Sequence, residues 1–230
     1  MIPRELIDSA PIPGGGELRL IRRGSEYSIM LGSNELMNSR LSGSEEALAT
    51  LACERLGKRP GPVLLIGGLG MGFTLRAALQ CLPADAGVIV AELVPAIIRW
   101  ARGPLAHLQG ESLDDPRVTV MESDVVEIIA SERGRFDAIL LDVDNGPDGL
   151  SREGNDRLYD AAGLARAKAA LRPGGVLGVW SSGPDAAFSA RLRKAGFRVE
   201  EIPVRARGGR GGARHVLWMA TGPTSRSIAT

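Results

Sequence analysis

The sequence predicts an α/β fold: a doubly wound, mostly parallel seven-stranded sheet with a small N-terminal β unit. From residue 62 onward, short runs rich in Val, Ile and Leu alternate with helix-period stretches, as in a parallel sheet covered by helices on both faces. The first of these runs leads directly into Gly68, Gly70 and Gly72. Glycine at a strand-to-helix turn allows a sharp change of direction and a close approach by a ligand. The last two apolar runs, 197–204 and 214–220, have no helix between them and so predict an antiparallel pair at one edge.

Residues 17–37 alternate loosely around Gly24 and Gly32 and predict two or three short antiparallel strands. Ser42, with Glu45 three residues later, has the form of a capping box. Ala47, Leu48, Leu51, Ala52 and Leu56 then supply a helical stripe that Gly57 ends. Beyond it the pattern predicts strand 62–66, helix 73–82, strand 87–91, helix 95–102, strand 117–121, helix 124–131, strand 136–142, helix 157–170, strand 174–181 and helix 185–195, before the edge pair. A doubly wound sheet closed by such a pair is the pattern of class I methyltransferase-like folds. The expected division is an N-terminal β-hairpin unit (1–43), an α/β domain (44–222) and a flexible tail (223–230) without an apolar anchor.

Of 230 residues, 44% are hydrophobic but only 4% aromatic, so the core is built mainly of Val, Leu, Ile and Ala. A formal charge of +1 supplies no global field toward nucleic acid or an anionic membrane, which favours small-molecule chemistry. Cys53 and Cys81 lack metal-ligand spacing and read as free structural thiols of a reducing compartment. The first residues lack the features of a signal peptide and no apolar run reaches the ~18 residues of a membrane span, so a cytoplasmic location is expected. The Arg- and Gly-rich stretch 205–214 suits anions such as RNA, but no aromatic residue interleaves to stack bases, and a hairpin connection is the first reading. His107 and His215 stand alone and receive no role.

Tight turns use glycine without any ligand, so the triplet needs a second signal. The next strand supplies it: Glu92 lies about 20 residues past Gly72, the offset at which an acid accepts hydrogen bonds from ribose hydroxyls. Leu93 follows it. The third strand ends at Ser123-Asp124-Val125, where Asp124 reads as a carboxylate for an adenine amino group, as a helix N-cap, or as both. The fourth ends in Asp142-Val143-Asp144-Asn145, two carboxylates and an amide beyond the switch region of the sheet. Asp142 should point into the crevice as a base or ammonium anchor, while Asp144 also suits a simple turn. Tyr159 is a candidate substrate contact, and Trp180 is either a pocket floor or core.

The order Thr74-Leu75-Arg76, Glu92-Leu93-Val94-Pro95, Ser123-Asp124, Phe136 to Asp142 and Leu158-Tyr159 to Gly175 resembles the spermidine synthase family over roughly residues 17–220. The resemblance implies that Glu92 holds a ribose, Asp124 an adenine, and that Asp142 is the catalytic aspartate. It also implies a possible homodimer formed through the N-terminal β unit. The departures fall on the amine site. The family carries an aspartate within its glycine loop, where this chain reads Gly67-Gly68-Leu69-Gly70-Met71-Gly72. The second acid after the fourth strand comes one residue early, at Asp144, and the N-terminal Gln and Tyr positions appear as Glu35 and Ser44.

Loss of the loop acid removes a charge that would repel the carboxylate of intact S-adenosylmethionine. Two unit charges ~4 Å apart at an effective dielectric of ~20 interact by roughly 4 kcal/mol. The expectation is therefore methyl transfer from S-adenosylmethionine to a small molecule by S_N2 attack on the sulfonium carbon. Aminopropyl transfer from decarboxylated S-adenosylmethionine is the alternative, followed by a non-catalytic nucleoside-binding protein. A Mg²⁺-dependent O-methyltransferase site is disfavoured because the fifth strand ends in Trp180-Ser181-Ser182, without oxygen-rich ligands. A nicotinamide site is disfavoured because Gly72 follows Gly70 too closely.

Overall fold

The fold is described from a computed structural model, which covers residues 2–13, 15–143, 156–207 and 211–224. Two sheets are present. The N-terminal one holds β1 (Glu5–Pro11), β2 (Glu17–Arg23), β3 (Glu26–Leu31) and β4 (Asn34–Asn38), antiparallel in sequence order. Gly24 (φ 63°) and Gly32 (φ 58°) turn the chain between β2, β3 and β4, where two-residue hairpins need left-handed backbone. Leu18, Leu20, Tyr27 and Ile29 face inward. The additional strand, β1, was not expected because only Ala10 of its residues is buried, so alternation hardly marks it. Its pairing with β2 makes it a strand.

Helix α1 (Gly43–Leu56) follows, but without the capping box. Ser42 makes no side-chain cap, and Glu45 turns inward to accept a hydrogen bond from Ser44 Oγ. Then come β5 (Val63–Gly67), α2 (Phe73–Cys81), β6 (Gly87–Glu92), α3 (Pro95–Arg102), α4 (Ala106–Gln109), β7 (Val118–Glu122), α5 (Val125–Ser131) and β8 (Phe136–Leu141). After residues 144–155 the chain continues as α6 (Asp156–Tyr159), α7 (Ala161–Ala170), β9 (Leu171–Ser181), α8 (Ala186–Lys194), β10 (Arg198–Arg205) and β11 (Arg214–Thr221). The helix expected over 157–170 is divided at Asp160, whose carboxylate caps α7 by accepting from Gly163 N.

The second sheet has the order β10-β11-β9-β8-β5-β6-β7. The strands from β9 to β7 run parallel, and β11 is antiparallel to both of its neighbours. Its seven strands and edge hairpin match the expected fold class. Side chains of the central strands alternate between two apolar layers. Leu64, Ile66, Ala138 and Leu140 enter one, while Leu65, Ile139 and Leu141 enter the other. The order reverses between β5 and β8, whose ends are in register at Gly67 and Leu141. A crevice at the carboxyl ends of these strands follows from the topology.

Candidate active site

At this switch point lies a cleft of about 190 Å³. Gly68, Gly70, Glu92, Leu93, Asp124, Val125 and Asp142 all line it, carried by the ends of β5, β6, β7 and β8. Leu18, Ile29, Leu36 and Met37 of the N-terminal sheet form an apolar wall. No Lys or Arg is among the described residues of the lining.

The glycines serve the protein's own packing. Gly68, Gly70 and Gly72 have φ of 87°, 51° and 79°, in the left-handed region. A Cβ would stand 2.4 Å from the Asp142 carbonyl oxygen at Gly68 and 2.8 Å from Met37 Sδ at Gly70. At Gly72 it would meet Gln109 Oε1 at 2.6 Å. Gly72 is buried as the N-cap of α2 and does not line the cleft, which corrects its assignment as a cofactor contact.

Glu92 is 7% exposed. Its two carboxylate oxygens accept from Leu69 N at 2.9 Å and Val94 N at 2.8 Å, which fixes the glycine turn against the end of β6. Burial raises its pKa, opposed by the N–H groups of Val94, Leu69, Gly70 and Leu93. Asp124 is the N-cap the sequence allowed. It caps α5 by accepting from Val126 N at 2.9 Å, it lines the cleft, and its Oδ2 lies 3.9 Å from Arg157.

Asp142 is half-buried, and Thr74 Oγ1 donates to its Oδ2 at 2.7 Å. Its carboxyl is pushed up to about 7, first by burial and then by the Glu45 carboxylate, with the Thr74 hydroxyl opposing. Glu45, 8% exposed, lines the same cleft from α1. Sequence reasoning missed it because its spacing from Ser42 gave it a capping role. The available signal was its position next to Ser44, one of the family's amine-site positions. Ser44 Oγ donates to Glu45 Oε2 at 2.6 Å and lies 2.9 Å from Nδ1 of His215. The His215 ring meets Trp180 edge-on at 4.7 Å. Trp180 lines the cleft and also packs in the core.

Other expected contacts lie elsewhere. Tyr159 is 3% exposed and packs edge-on against Phe188 on the opposite side of the sheet from the Trp180 layer. Glu35 is exposed on β4, accepts from Ser28 Oγ and Asn38 Nδ2, and borders a separate hollow of about 50 Å³. Asp144 and Asn145 lie outside the described residues, as do 208–210 of the Arg- and Gly-rich stretch and 225–230 of the tail. Among the described residues no group of three or more His, Cys, Asp or Glu is placed to hold a metal ion. None of their helices is long and apolar enough to cross a membrane.

The spermine/spermidine synthase domain matches residues 43–184, which include α1, the glycine turn and the ends of all four cleft strands. The chain belongs to the spermine/spermidine synthase domain family. A polyamine aminopropyltransferase of Mycobacterium tuberculosis is 34% identical over 146 residues, covering 60% of this chain and 27% of that protein. Polyamine aminopropyltransferase 1 of Streptomyces coelicolor is 35% identical over 150 residues, covering 62% and 27%. The chain thus spans only about a quarter of the length of these curated relatives. A spermidine synthase solved in complex with the transition state analogue AdoDATO superposes with a TM-score of 0.76 at 20% identity, over 94% of this chain and 73% of that one. At that identity the likeness is one of fold.

The family overturns the expectation of methyl transfer, since the matched domain and both relatives are those of aminopropyl-transferring enzymes. That expectation rested on a glycine loop without an acid; Glu45, on α1, lines the same cleft.

Proposed function

We propose that this chain transfers an aminopropyl group from decarboxylated S-adenosylmethionine to a small amine. The observation that carries this reading is the convergence of Glu92, Asp124 and Asp142 on one cleft at the switch point of the sheet. Family membership narrows the chemistry. Glu92, held at the cleft end of β6, suits the ribose hydroxyls, and Asp124 with Val125 suits the adenine edge. The sulfonium nucleoside supplies an activated propyl carbon joined to a good neutral leaving group.

The protein's part is to orient the partners and take a proton. Asp142, as carboxylate, accepts a proton from the attacking amine. The amine nitrogen forms a bond to the propyl carbon while the carbon–sulfur bond breaks. That electron pair stays on sulfur, giving uncharged methylthioadenosine. The apolar wall of Leu18, Ile29, Leu36 and Met37 limits water around the reacting atoms.

The test is incubation with decarboxylated S-adenosylmethionine and 1,4-diaminobutane, followed by mass spectrometry. Equimolar methylthioadenosine and aminopropylated amine are expected. Absence of both, with a folded protein, would refute the proposal.

A further inference from the structure

We infer that Glu45 is the second acid of the amine site: with Asp142 it holds an alkylammonium group, in place of the acid that the glycine loop lacks. The inference rests on the aminopropyl-transfer reading and assigns the charge recognition within it.

Glu45 is nine-tenths buried, yet it lines the cleft in which Asp142 stands. Two acids facing one small cleft repel each other, and no basic side chain among the described lining residues compensates them. Protons or a cationic ligand would. An ammonium group brings three donors and one positive charge, and so can satisfy oxygens of both carboxylates.

Glu45 is also held for this task. Ser44 Oγ donates to Oε2 at 2.6 Å, and the N–H groups of Ser44 and Glu45 face the same carboxyl. Behind Ser44 stands His215, packed on Trp180, so the acid is braced by β11 and β9 as well as by its own helix. Trp180 lines the same cleft. Ser44 and His215 are positioning residues in this scheme.

The ammonium could belong to the propyl tail of the nucleoside or to the acceptor amine. Three calorimetric titrations separate them: methylthioadenosine, which has no amine; decarboxylated S-adenosylmethionine; and 1,4-diaminobutane added to the methylthioadenosine complex. Each is run on the wild type, Glu45→Gln and Glu45→Asp. Gln keeps the acceptor for Ser44 and removes the charge. It should leave methylthioadenosine affinity within about twofold and weaken at least one amine ligand about tenfold or more. Loss on the decarboxylated S-adenosylmethionine arm assigns the acid to the tail, and loss on the diamine arm assigns it to the acceptor. Asp, which keeps the charge, should retain more of the amine affinity than Gln.

Equal weakening of all three ligands by Gln would show a structural role and overturn the inference, as would no weakening of either amine. A wild type that binds methylthioadenosine and both amines, with Gln unaffected, sinks this inference alone. A wild type that binds none of the three sinks the proposed function, and this inference with it.

Discussion

Asp142→Asn tests the electrostatics of the cleft through stability as well as activity. The carboxyl is pushed up to about 7 in the fold, chiefly by burial and then by Glu45. In the unfolded chain it titrates near ~3.9. Between those values the folded protein holds a proton that the unfolded chain has released. Stability from this group is therefore fully present below about pH 4, falls as pH rises, and is lost above about 7. The rise from ~3.9 to about 7 corresponds to about 4 kcal/mol as an upper bound. Asp142 is only half-buried and its cleft opens to water, which reduces the expected effect to about 2 kcal/mol.

Asparagine cannot ionise, and its carbonyl oxygen can still accept from Thr74. Urea melts at pH 5 and pH 8 should show the variant more stable than wild type by under about 1 kcal/mol at pH 5 and by about 2 kcal/mol at pH 8. Glu45, raised by burial, keeps a slope of its own in both proteins. Aminopropyl transfer by the variant should fall by about 100-fold or more, because the amide takes no proton. A stability difference that does not change between pH 5 and 8 would refute the electrostatic reasoning. Unchanged turnover at saturating substrates would refute the role as base.

Gly68→Ala should destabilise by about 3 kcal/mol or more, combining left-handed strain with a Cβ driven into the carbonyl of Asp142. Chemical denaturation measures it, and a loss confined to nucleoside affinity would mean that Gly68 serves ligand approach instead of packing. Asp137, at the other end of β8, accepts from Arg59 at 2.9 Å, Arg172 at 2.7 Å and Val63 N at 2.9 Å. Asp137→Ala should cost about 3 kcal/mol by leaving these donors unpaired, while methylthioadenosine affinity measured below the melting transition stays at the wild-type level.

Much of the architecture was legible because local pattern and tertiary role agree. Central strands such as Val63–Gly67 and Phe136–Leu141 read as continuous apolar runs because helices cover both faces of the sheet. Glu92 and Asp124 could be placed in the cleft because they follow strands whose order fixes where they end. Strand β1 and the break at Asp160 were not legible. One depends on pairing with β2, and the other on a single side-chain cap within an otherwise helical pattern.

The sequence by itself determined the fold class, the turn at Gly68–Gly72 and the three acids at strand ends, since periodicity and spacing act over a few residues. Only the tertiary structure decided what those glycines are for and which acids share a cleft. Spacing from Ser42 assigned Glu45 to a helix cap, and the absence of a loop acid argued for a different cofactor. The packing of α1 beside the end of β8 reverses the first conclusion, and the family match overturns the methyl transfer drawn from the second. Charge in a cleft acts through space at a few ångströms, and residues 45 and 142 become electrostatic neighbours only when the chain is folded.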